Sequence, residues 1–431
     1  MKYNLTNLSS RSLLEEIQLE RIQKTVDYCY NYVSFYRKKL SSVGITSGKQ
    51  IASLKDISKI PFTTKEDLAE LYPYGLLAIS KEDVVELHES SGSTGVPKVI
   101  AYSDSDRKNW GEAIARLYSL CGITRFDIIQ NATPYGMFTG GFGCHYGASA
   151  LGCCVLPASG GNTVNQLNMI SYYGTTALTC TSSYALHLAE ELQKEPGKYD
   201  VSTLKKMWVG GEACTESMRR RIEETLGCDV YNSYGLTEIW GPGFSGECTS
   251  KNGLHINEDI FYHEIISVDS QEVVQEGNVG ELVVTSLLAE GMPILRYRTN
   301  DLTRIIPSSC ECGCILRKIE PPRARLDDMI IIRGVNVYPF QIKNILDSFS
   351  GTSDQYQIEL RRENGCDIAV LRIEYPQGYT VNQHNESLEE EIERCIKQKL
   401  KIHINVQFIP FGSLSRDSIK MKRVLDLRYG G

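Results

Sequence analysis

The 431-residue sequence lacks several features that would define its class at once. It has no apolar run near the roughly 18 consecutive residues of a membrane span. It has no excess of positive charge, because 46 lysines and arginines against 53 aspartates and glutamates give a net charge of −7. These absences argue against a membrane protein and against a nucleic-acid binder that relies on overall charge. We expect neither a membrane nor nucleic acid as a partner.

The first residues also lack the apolar core of a secretory signal. The stretch from Met1 to Glu20 is polar and includes Glu15 and Glu16. The sequence therefore predicts a cytoplasmic protein. In that reducing compartment, the 14 cysteines are expected to be free thiols or metal ligands rather than a disulfide framework.

Length and pattern predict more than one domain. The chain exceeds the ~250–300 residues at which a single core stops growing. Short β-rich runs alternate with helical patterns over the first 240 residues, which is typical of α/β layers with a mostly parallel sheet. The predicted fold class is α/β. It comprises a large N-terminal domain of several subdomains at 1–324, β-rich from about 245, and a small α+β C-terminal domain at 325–431.

One loop has the composition of a phosphate-binding segment. It follows a short β-rich run and contains two glycines, four hydroxyl side chains and a final lysine. Backbone N–H and hydroxyl groups of such a loop can surround a phosphate chain, although the Walker spacing is absent. A plain surface turn has the same composition, so the loop alone decides nothing. Its predicted phosphate-binding residues are Ser90, Ser91, Gly92, Ser93, Thr94, Gly95 and Lys98.

Four segments in sequence order resemble the acyl-adenylate-forming enzymes, a superfamily of acyl-CoA synthetases, luciferases and peptide-synthetase adenylation domains. Each motif is weak alone, but their order is specific. The segments are the loop at 90–98, Gly210-Gly211-Glu212, the stretch from Tyr231 to Glu238, and the stretch from Arg296 to Asp301.

The resemblance assigns roles to these residues. It implies that Tyr234 flanks the adenine of ATP, that Thr237 meets the α-phosphate, and that Glu238 holds Mg²⁺, which prefers hard oxygen ligands. Asp301 would accept the ribose hydroxyls. The remaining residues of the implied nucleotide site are Gly211, Glu212, Asn232, Gly235 and Arg325.

The same resemblance implies a mobile C-terminal lid. Lys420 matches the lysine that bridges the substrate carboxylate and the α-phosphate, although Ile419 stands where the family usually has glycine and Lys422 is an alternative. Asp327 matches the hinge, although Ala324 replaces the usual glycine there. Gly334 matches the residue that faces CoA once the adenylate has formed.

Finer motifs resemble the phenylacetate–CoA ligase family, at residues 61–68, 136–143, 145–147 and 328–339. This resemblance implies a carboxylate–CoA ligase that uses ATP, Mg²⁺, CoA and a small carboxylic acid such as an arylacetate, and it suggests a homodimer. The implied acyl pocket contains Tyr135, Phe142 and Ile239. His145 either approaches this pocket or has a purely structural role.

Clustered cysteines and a histidine predict a structural zinc site. Cys248 and His255, together with Cys310 and Cys312, offer four soft ligands, and some members of the resembled family carry a similar pair of motifs. Cys314 occupies a position often filled by arginine in that family and is left out. Unligated thiols on loops remain the alternative, because the spacing is irregular.

Two other functions stay open at this level. The first is AMP transfer to a deazaflavin coenzyme without CoA, by synthetases that resemble this branch. The second is a zinc-stabilised protein that binds nucleotide without turnover. Lys98, Glu238, Asp301 and Lys420 are all present, which argues against the second alternative.

Overall fold

The computed structural model describes residues 10–90, 97–322, 324–332, 335–353, 355–363, 366–376, 386–414 and 423–428. The chain divides into two compact units, residues 1–322 and 323–431. Among the described residues, no helix is both long enough and apolar enough to cross a membrane.

Two helices form the first part of the larger unit, where the sequence shows a helical pattern. Helix α1 (Arg11–Tyr32) begins after Ser10, whose hydroxyl accepts a hydrogen bond from the Leu13 amide at 3.2 Å. This cap satisfies one of the free N–H groups of the first turn. The other helices of this unit are α2 (Ser34–Ser41), α3 (Lys65–Glu70), α4 (Asp104–Leu120), α5 (Thr139–Leu151), α6 (Thr163–Tyr173), α7 (Ser182–Lys194) and α8 (Glu216–Leu226).

Most strands of the larger unit join one nine-stranded sheet. Its parallel part has the order β4 (Cys154–Leu156), β3 (Ile128–Asn131), β5 (Ala177–Thr181), β6 (Lys206–Gly210) and β7 (Asp229–Leu236). Antiparallel strands continue from β7: β8 (Gly241–Glu247), β9 (Leu254–Ile256), β14 (Lys318–Ile319) and β13 (Ile305–Ile306). The sheet is therefore mixed, with the predicted parallel layers forming one half.

Alternating side chains of the parallel strands face two different cores. Trp208 and Tyr231 lie with residues of α4 and α5, whereas the neighbouring Met207 and Val230 lie with residues of α6, α7 and α8. This alternation follows from the two-residue period of a strand and buries both faces of the sheet.

Helices α4 and α5 approach each other closely because α5 is rich in glycine. A Cβ atom added at Gly143 would lie 2.4 Å from the Trp110 side chain, and one at Gly147 would lie 2.3 Å from Ile114. Larger residues at these two positions would force the helices apart. The glycines therefore set the position of α5, which carries part of the predicted acyl pocket.

A second sheet contains β10 (Phe261–Ile266), β11 (Gly280–Ser286) and β12 (Tyr297–Thr303), antiparallel in that order. Strand β12 begins only at Tyr297. Arg296 has a φ of 44°, which interrupts the extended backbone, and its guanidinium pairs with the buried Glu264 at 2.9 Å. The hairpin β1 (Glu86–Glu89) and β2 (Val99–Tyr102) is a separate antiparallel pair.

The smaller unit has its own core and a mixed sheet in the order β20 (Asn405–Ile409), β19 (Cys366–Glu374), β18 (Tyr356–Glu363) and β21 (Val424–Asp426). Antiparallel β18 and β19 form its centre, and β20 and β21 each pair in parallel with one of them. Its elements are β15 (Ala324–Arg325), β16 (Ile330–Ile332), β17 (Val335–Val337), α9 (Pro339–Leu346), β18 (Tyr356–Glu363), β19 (Cys366–Glu374), α10 (Glu386–Leu400), β20 (Asn405–Ile409) and β21 (Val424–Asp426).

Candidate active site

The two ends of the predicted phosphate loop are joined to each other. The amide of Ser90 donates to the carbonyl oxygen of Lys98 at 2.9 Å, and the amide of Lys98 donates to the Ser90 hydroxyl at 3.0 Å. These bonds extend the β1–β2 hairpin and close the loop at its base. The intervening predicted residues, Ser91, Gly92, Ser93, Thr94 and Gly95, lie outside the described residues.

The lysine at the end of this loop contacts the predicted magnesium ligand. The Nζ atom of Lys98 lies 3.3 Å from the Oε1 atom of Glu238, and both side chains are largely buried. Tyr297 donates a hydrogen bond from its hydroxyl to the same oxygen at 2.8 Å. A carboxylate held by two donors beside a phosphate loop is suited to hold Mg²⁺ against phosphate oxygens. Such an ion would neutralise charge that develops on the phosphates.

Glu238 is placed by an irregular end of β7. A Cβ atom at Gly235 would lie 1.6 Å from the carbonyl oxygen of Gly241, so only glycine fits where β7 turns against β8. The pairing of β7 with β8 shifts in register at this point. A short 3₁₀ turn, Thr237–Ile239, follows at once and contains both predicted catalytic residues of this segment, Thr237 and Glu238.

The residue predicted to bind ribose is hydrogen-bonded to the residue predicted to flank adenine. Tyr234 donates from its hydroxyl to the Oδ2 atom of Asp301 at 2.5 Å, and the Asp301 amide donates to the Thr299 hydroxyl at 3.0 Å. The carboxylate of Asp301 is almost fully buried, on β12. The arrangement presents an oriented carboxylate next to an aromatic ring, as a nucleoside requires.

The remaining predicted nucleotide residues lie where parallel strands end. Gly211 and Glu212 follow β6, and Glu212 accepts a hydrogen bond from the Ser183 amide after β5 at 2.6 Å. Asn232 is buried in β7, and its backbone amide donates to the Glu247 carboxylate at 2.6 Å. In open α/β sheets, ligands bind at the carboxyl ends of the strands, and the predicted residues gather at that edge.

Two of the predicted acyl-pocket residues contact each other, and the third is buried in the core against which Phe142 also packs. The rings of Tyr135 and Phe142 lie 5.2 Å apart in an edge-to-face arrangement. His145 lies next to them, with its Nδ1 atom 3.1 Å from the Tyr135 hydroxyl. Ile239 is 1% exposed and packs in the main core of this unit.

A buried polar group at this site was not predicted from the sequence. His88 donates from Nδ1 to the carbonyl oxygen of Met137 at 3.1 Å, and its Nε2 atom lies 2.6 Å from Glu86. Tyr146 donates to the other oxygen of Glu86 at 2.7 Å. Burial alone would raise the pKa of Glu86, but these hydrogen bonds outweigh burial and lower it. The group holds β1 against the segment before α5. The only sign of this group in the sequence was a histidine and a glutamate at alternate positions of a short strand.

The predicted residues of the smaller unit are only partly described. Arg325 is half-buried at the end of β15, and Asp327 belongs to the 3₁₀ turn Leu326–Asp328. The side chain of Asp327, and the whole of Gly334 and Lys420, lie outside the described residues. Their roles stay predictions.

The predicted metal ligands come together. One ligand atom from each of Cys248, His255, Cys310 and Cys312 lies within 4.8 Å of all the others. The Sγ atoms of Cys248 and Cys310 are 3.5 Å apart, and Sγ of Cys312 is 3.4 Å from Nε2 of His255. Zinc bond lengths and a tetrahedral angle give separations of about 3.5–3.8 Å between ligand atoms, so the donor set fits Zn²⁺.

The histidine of this cluster is oriented by a backbone contact. His255 donates from Nδ1 to the carbonyl oxygen of Leu316 at 2.9 Å, which leaves Nε2 facing the thiols. Burial raises the pKa of Cys248, but hydrogen bonds, first from His255, outweigh it and lower the pKa to about 6. A second contact that fixes the ring of a ligating histidine is usual in zinc sites.

Comparison with known families and proteins identifies the family of this chain. The family model "AMP-binding enzyme" matches residues 39–289, and the model "AMP-binding enzyme C-terminal domain" matches residues 334–428. A phenylacetate–coenzyme A ligase of Thermus thermophilus is 40% identical, over 97% of each chain. The chain belongs to the phenylacetate–CoA ligase family of AMP-binding enzymes.

Further relatives agree with this placement. The phenylacetate–coenzyme A ligase of Escherichia coli is 37% identical over 96% of this chain and 95% of its own length. A crystal structure of 2-hydroxyisobutyryl-CoA ligase in the postadenylation state, in complex with 2-HIB-AMP, has a TM-score of 0.88 and 26% identity. The match covers 97% of this chain and 90% of the chain in that crystal structure. This AMP-binding enzyme is therefore a ligase with the adenylate-forming α/β fold, in which a large N-terminal domain precedes a C-terminal domain.

Proposed function

We propose that this AMP-binding enzyme is an ATP- and Mg²⁺-dependent carboxylate–CoA ligase that forms an arylacetyl-CoA, such as phenylacetyl-CoA, through an acyl-adenylate. The observation that carries the proposal is the joining of Lys98, Glu238 and Tyr297 at the base of the phosphate loop. The family placement supports the same reaction, because its relatives at 37–40% identity are named phenylacetate–coenzyme A ligases.

In the first step, a carboxylate oxygen of the acid attacks the α-phosphorus of ATP. The bond from that phosphorus to the bridging oxygen breaks, giving acyl-AMP and pyrophosphate. Glu238 would hold Mg²⁺, which neutralises phosphate charge when it is bound. Lys98 and the loop that it closes bind the phosphates, while Thr237 donates to the α-phosphate. Lys420 would bridge the acid and the α-phosphate.

The nucleoside is held by the neighbouring residues. Tyr234 stacks on the adenine, and Asp301 accepts hydrogen bonds from the ribose hydroxyls. Gly211, Glu212 and Asn232 line the adenine at the ends of β6 and β7. Arg325 is the remaining residue that would contact the nucleotide. These contacts leave the α-phosphate as the reacting centre, because positioning and electrostatic stabilisation supply most of the catalysis in transfers to phosphorus.

In the second step, the sulfur of CoA attacks the acyl carbon and AMP leaves. The thiol proton passes to solvent. Gly334 would face CoA in this step, and Asp327 would be the hinge between the two arrangements, as in other hinge-type transitions. The two steps therefore require different residues of the smaller unit.

The change Lys420→Ala separates the two steps. We expect exchange of pyrophosphate into ATP to fall by roughly 100-fold or more, because the transition state loses a fixed cation. Thioester formation from pre-made acyl-AMP should fall much less. Intact exchange in the variant would remove Lys420 from the mechanism, and AMP transfer to a non-thiol acceptor without any thioester would contradict the proposed reaction itself.

We also propose that Cys248, His255, Cys310 and Cys312 hold a structural zinc ion. Their separations fit the ion, and His255 is already oriented towards the thiols. Four protein ligands leave no open position for chemistry, so the ion would stabilise the fold at the ends of β8 and β9.

A further inference from the structure

A buried lysine of the larger unit lacks a counter-charge. Lys318 lies on β14 with 2% of its surface exposed, and its Nζ atom has no hydrogen-bond partner among the residues that the structure describes. Burying an ammonium group without a partner is strongly unfavourable, and buried lysines are normally paired. This side chain therefore requires a negative charge close to its position on β14.

The strand pairing places this lysine opposite a predicted zinc ligand. Lys318 pairs with His255 of β9 in the antiparallel register. The amide of Ile256 donates to the carbonyl oxygen of Arg317 at 3.0 Å, so the adjacent pair of His255 and Lys318 is the non-hydrogen-bonded one. Side chains of such a pair leave the same face of the sheet and lie close together. Lys318 is thus a direct neighbour of the proposed zinc site, on the side of its histidine.

The other neighbours of Lys318 are apolar or already paired. Ile306 of β13 lies opposite it on the far side. The turn before β9 packs against its stem, because a Cβ atom at Gly253 would lie 3.4 Å from Cβ of Lys318. Glu320 is two positions along the chain, and its Oε1 atom accepts a hydrogen bond from Nε of Arg304 at 2.7 Å. Among these neighbours, the proposed zinc site is the one that can supply an unbalanced charge.

The proposed zinc site has the charge that the lysine requires. Cysteines bind zinc as thiolates and histidine binds it as a neutral ring, so three thiolates and one Zn²⁺ ion leave a single net negative charge. A buried negative charge without a partner is as unfavourable as a buried ammonium group. Opposite charges in a poorly solvated site attract each other strongly even without direct contact. Each group therefore supplies what the other lacks.

We infer that Lys318 is the counter-charge of the zinc site: its ammonium group makes the site neutral, which tightens zinc binding and protects the bound thiolates from electrophiles. This inference rests on the proposed zinc ion. Groups around the ligands of a zinc site typically change metal affinity by roughly ten- to a hundredfold. A nearby cation also makes a thiolate less nucleophilic. That protection matters at Cys310 and Cys312, which are both partly exposed.

The test measures zinc affinity in full-length protein purified without chelators. A chromophoric chelator is added to the zinc-loaded proteins, and the concentration that removes half of the zinc is compared. Lys318→Met keeps the length of the side chain and removes its charge, so we expect zinc affinity to fall roughly ten- to a hundredfold. Lys318→Arg keeps the charge and should retain most of the affinity. If the Met variant does not fold, Lys318→Gln replaces it as the neutral variant.

Alkylation gives a second readout that depends on charge. The zinc-loaded proteins are treated with iodoacetamide in the presence of free zinc, and the modified cysteines are located by mass. We expect Cys310 and Cys312 to react about threefold faster or more in Lys318→Met than in the wild type. Glu320→Gln is the matched control, because it removes a charge next to β14 outside the site. It should change neither zinc affinity nor the rate of alkylation.

Three results would overturn the inference. They are unchanged zinc affinity in Lys318→Met, an Arg variant that loses as much as the Met variant, and an equal loss in Glu320→Gln. The second result would assign the loss to packing rather than to charge. A wild type that contains no zinc would remove the proposed zinc site itself and this inference with it. Zinc held equally well by wild type and Lys318→Met would remove only the role of the lysine.

Discussion

Lys98 and Glu238 form an ion pair, with the Nζ atom of the lysine 3.3 Å from the Oε1 atom of the glutamate. The pair joins the end of the phosphate loop to the end of β7, and Tyr297 of β12 donates to the same carboxylate. Three segments that are distant in sequence thus meet at one buried oxygen. In the proposed function each charge would have a new partner in the complex with ATP and Mg²⁺: the lysine would bind phosphate, and the carboxylate would hold the ion.

Replacing Glu238 with glutamine should remove the first step. The amide keeps the shape of the side chain but loses the charge that holds Mg²⁺, so we expect pyrophosphate exchange to fall by roughly 100-fold or more. Tyr297→Phe keeps the carboxylate and should cost only about tenfold, because one hydrogen bond to the carboxylate is lost while the charge that holds Mg²⁺ remains. Lys194→Met, in an ion pair on α7 away from the site, is the matched control and should keep full activity. Exchange at wild-type rates in Glu238→Gln would exclude this role.

The hydrogen-bonded pair of Tyr234 and Asp301 predicts that the enzyme distinguishes ribose from deoxyribose. We expect wild type to prefer ATP over 2′-deoxy-ATP, because a hydroxyl is missing from the second nucleotide. In Asp301→Ala, KM for ATP should rise about tenfold or more, and the preference between the two nucleotides should largely vanish. Steady-state kinetics with both nucleotides measures this. A variant that loses affinity but keeps the full preference would show that Asp301 supports the fold without contacting ribose.

The sequence predicted the segments of the site better than their connections. The phosphate loop, the segment ending in Glu238 and the strand carrying Asp301 each have a local motif. The ion pairs that hold them, such as Lys98 with Glu238 and Arg296 with Glu264, join positions far apart and have no local signal. Motif order therefore gave the fold class, whereas the side-chain network required coordinates.

Strand β8 shows a second reason why the local sequence pattern does not predict the structure. Its sequence, Gly-Pro-Gly-Phe-Ser-Gly-Glu, is typical of a turn, and no strand was predicted at 241–247. In the structure the strand pairs on both sides, and small residues are needed there. A Cβ atom at Gly243 would lie 3.0 Å from the Trp110 side chain. Close packing against α4 has outweighed the low β propensity of glycine, as tertiary context often does.

Zinc should be present at about one ion per chain in protein purified without chelators. Cys310→Ser should lower both the zinc content and the melting temperature, because a tetrahedral site loses one of its four ligands. Cys154→Ser is the matched control, since Cys154 is an exposed thiol on β4, and it should change neither quantity. Elemental analysis and thermal melting measure the two effects. Absence of zinc, or full stability after chelation, would contradict the site.

His263 predicts a pH dependence of stability. Both of its ring nitrogens are buried without a hydrogen-bond partner among the described residues, and burial lowers its pKa from 6.5 to about 4. Below pH 6.5 this histidine takes up a proton in the unfolded chain, whereas in the folded protein it stays neutral until the pH falls to about 4. The native state therefore loses stability as the pH falls through this range, by about 1 kcal/mol between pH 7.5 and 5.5.

The variant His263→Leu should lack this loss. Urea titrations at pH 7.5 and 5.5, followed by tryptophan fluorescence, report on the larger unit because Trp110, Trp208 and Trp240 all lie there. The gap in unfolding free energy between wild type and variant should shift by about 1 kcal/mol in favour of the variant at the lower pH. A gap that is the same at both values would mean that His263 titrates normally in the folded protein.

The most direct test of the central claim follows oxygen from the acid to the nucleotide. The enzyme is given ATP, Mg²⁺, CoA and an arylacetate whose two carboxylate oxygens are ¹⁸O, and the products are analysed by mass. An acyl-adenylate route predicts that AMP gains one ¹⁸O atom and that the arylacetyl-CoA retains the other. Unlabelled AMP beside a labelled thioester, or AMP transfer with no thioester at all, would contradict the account.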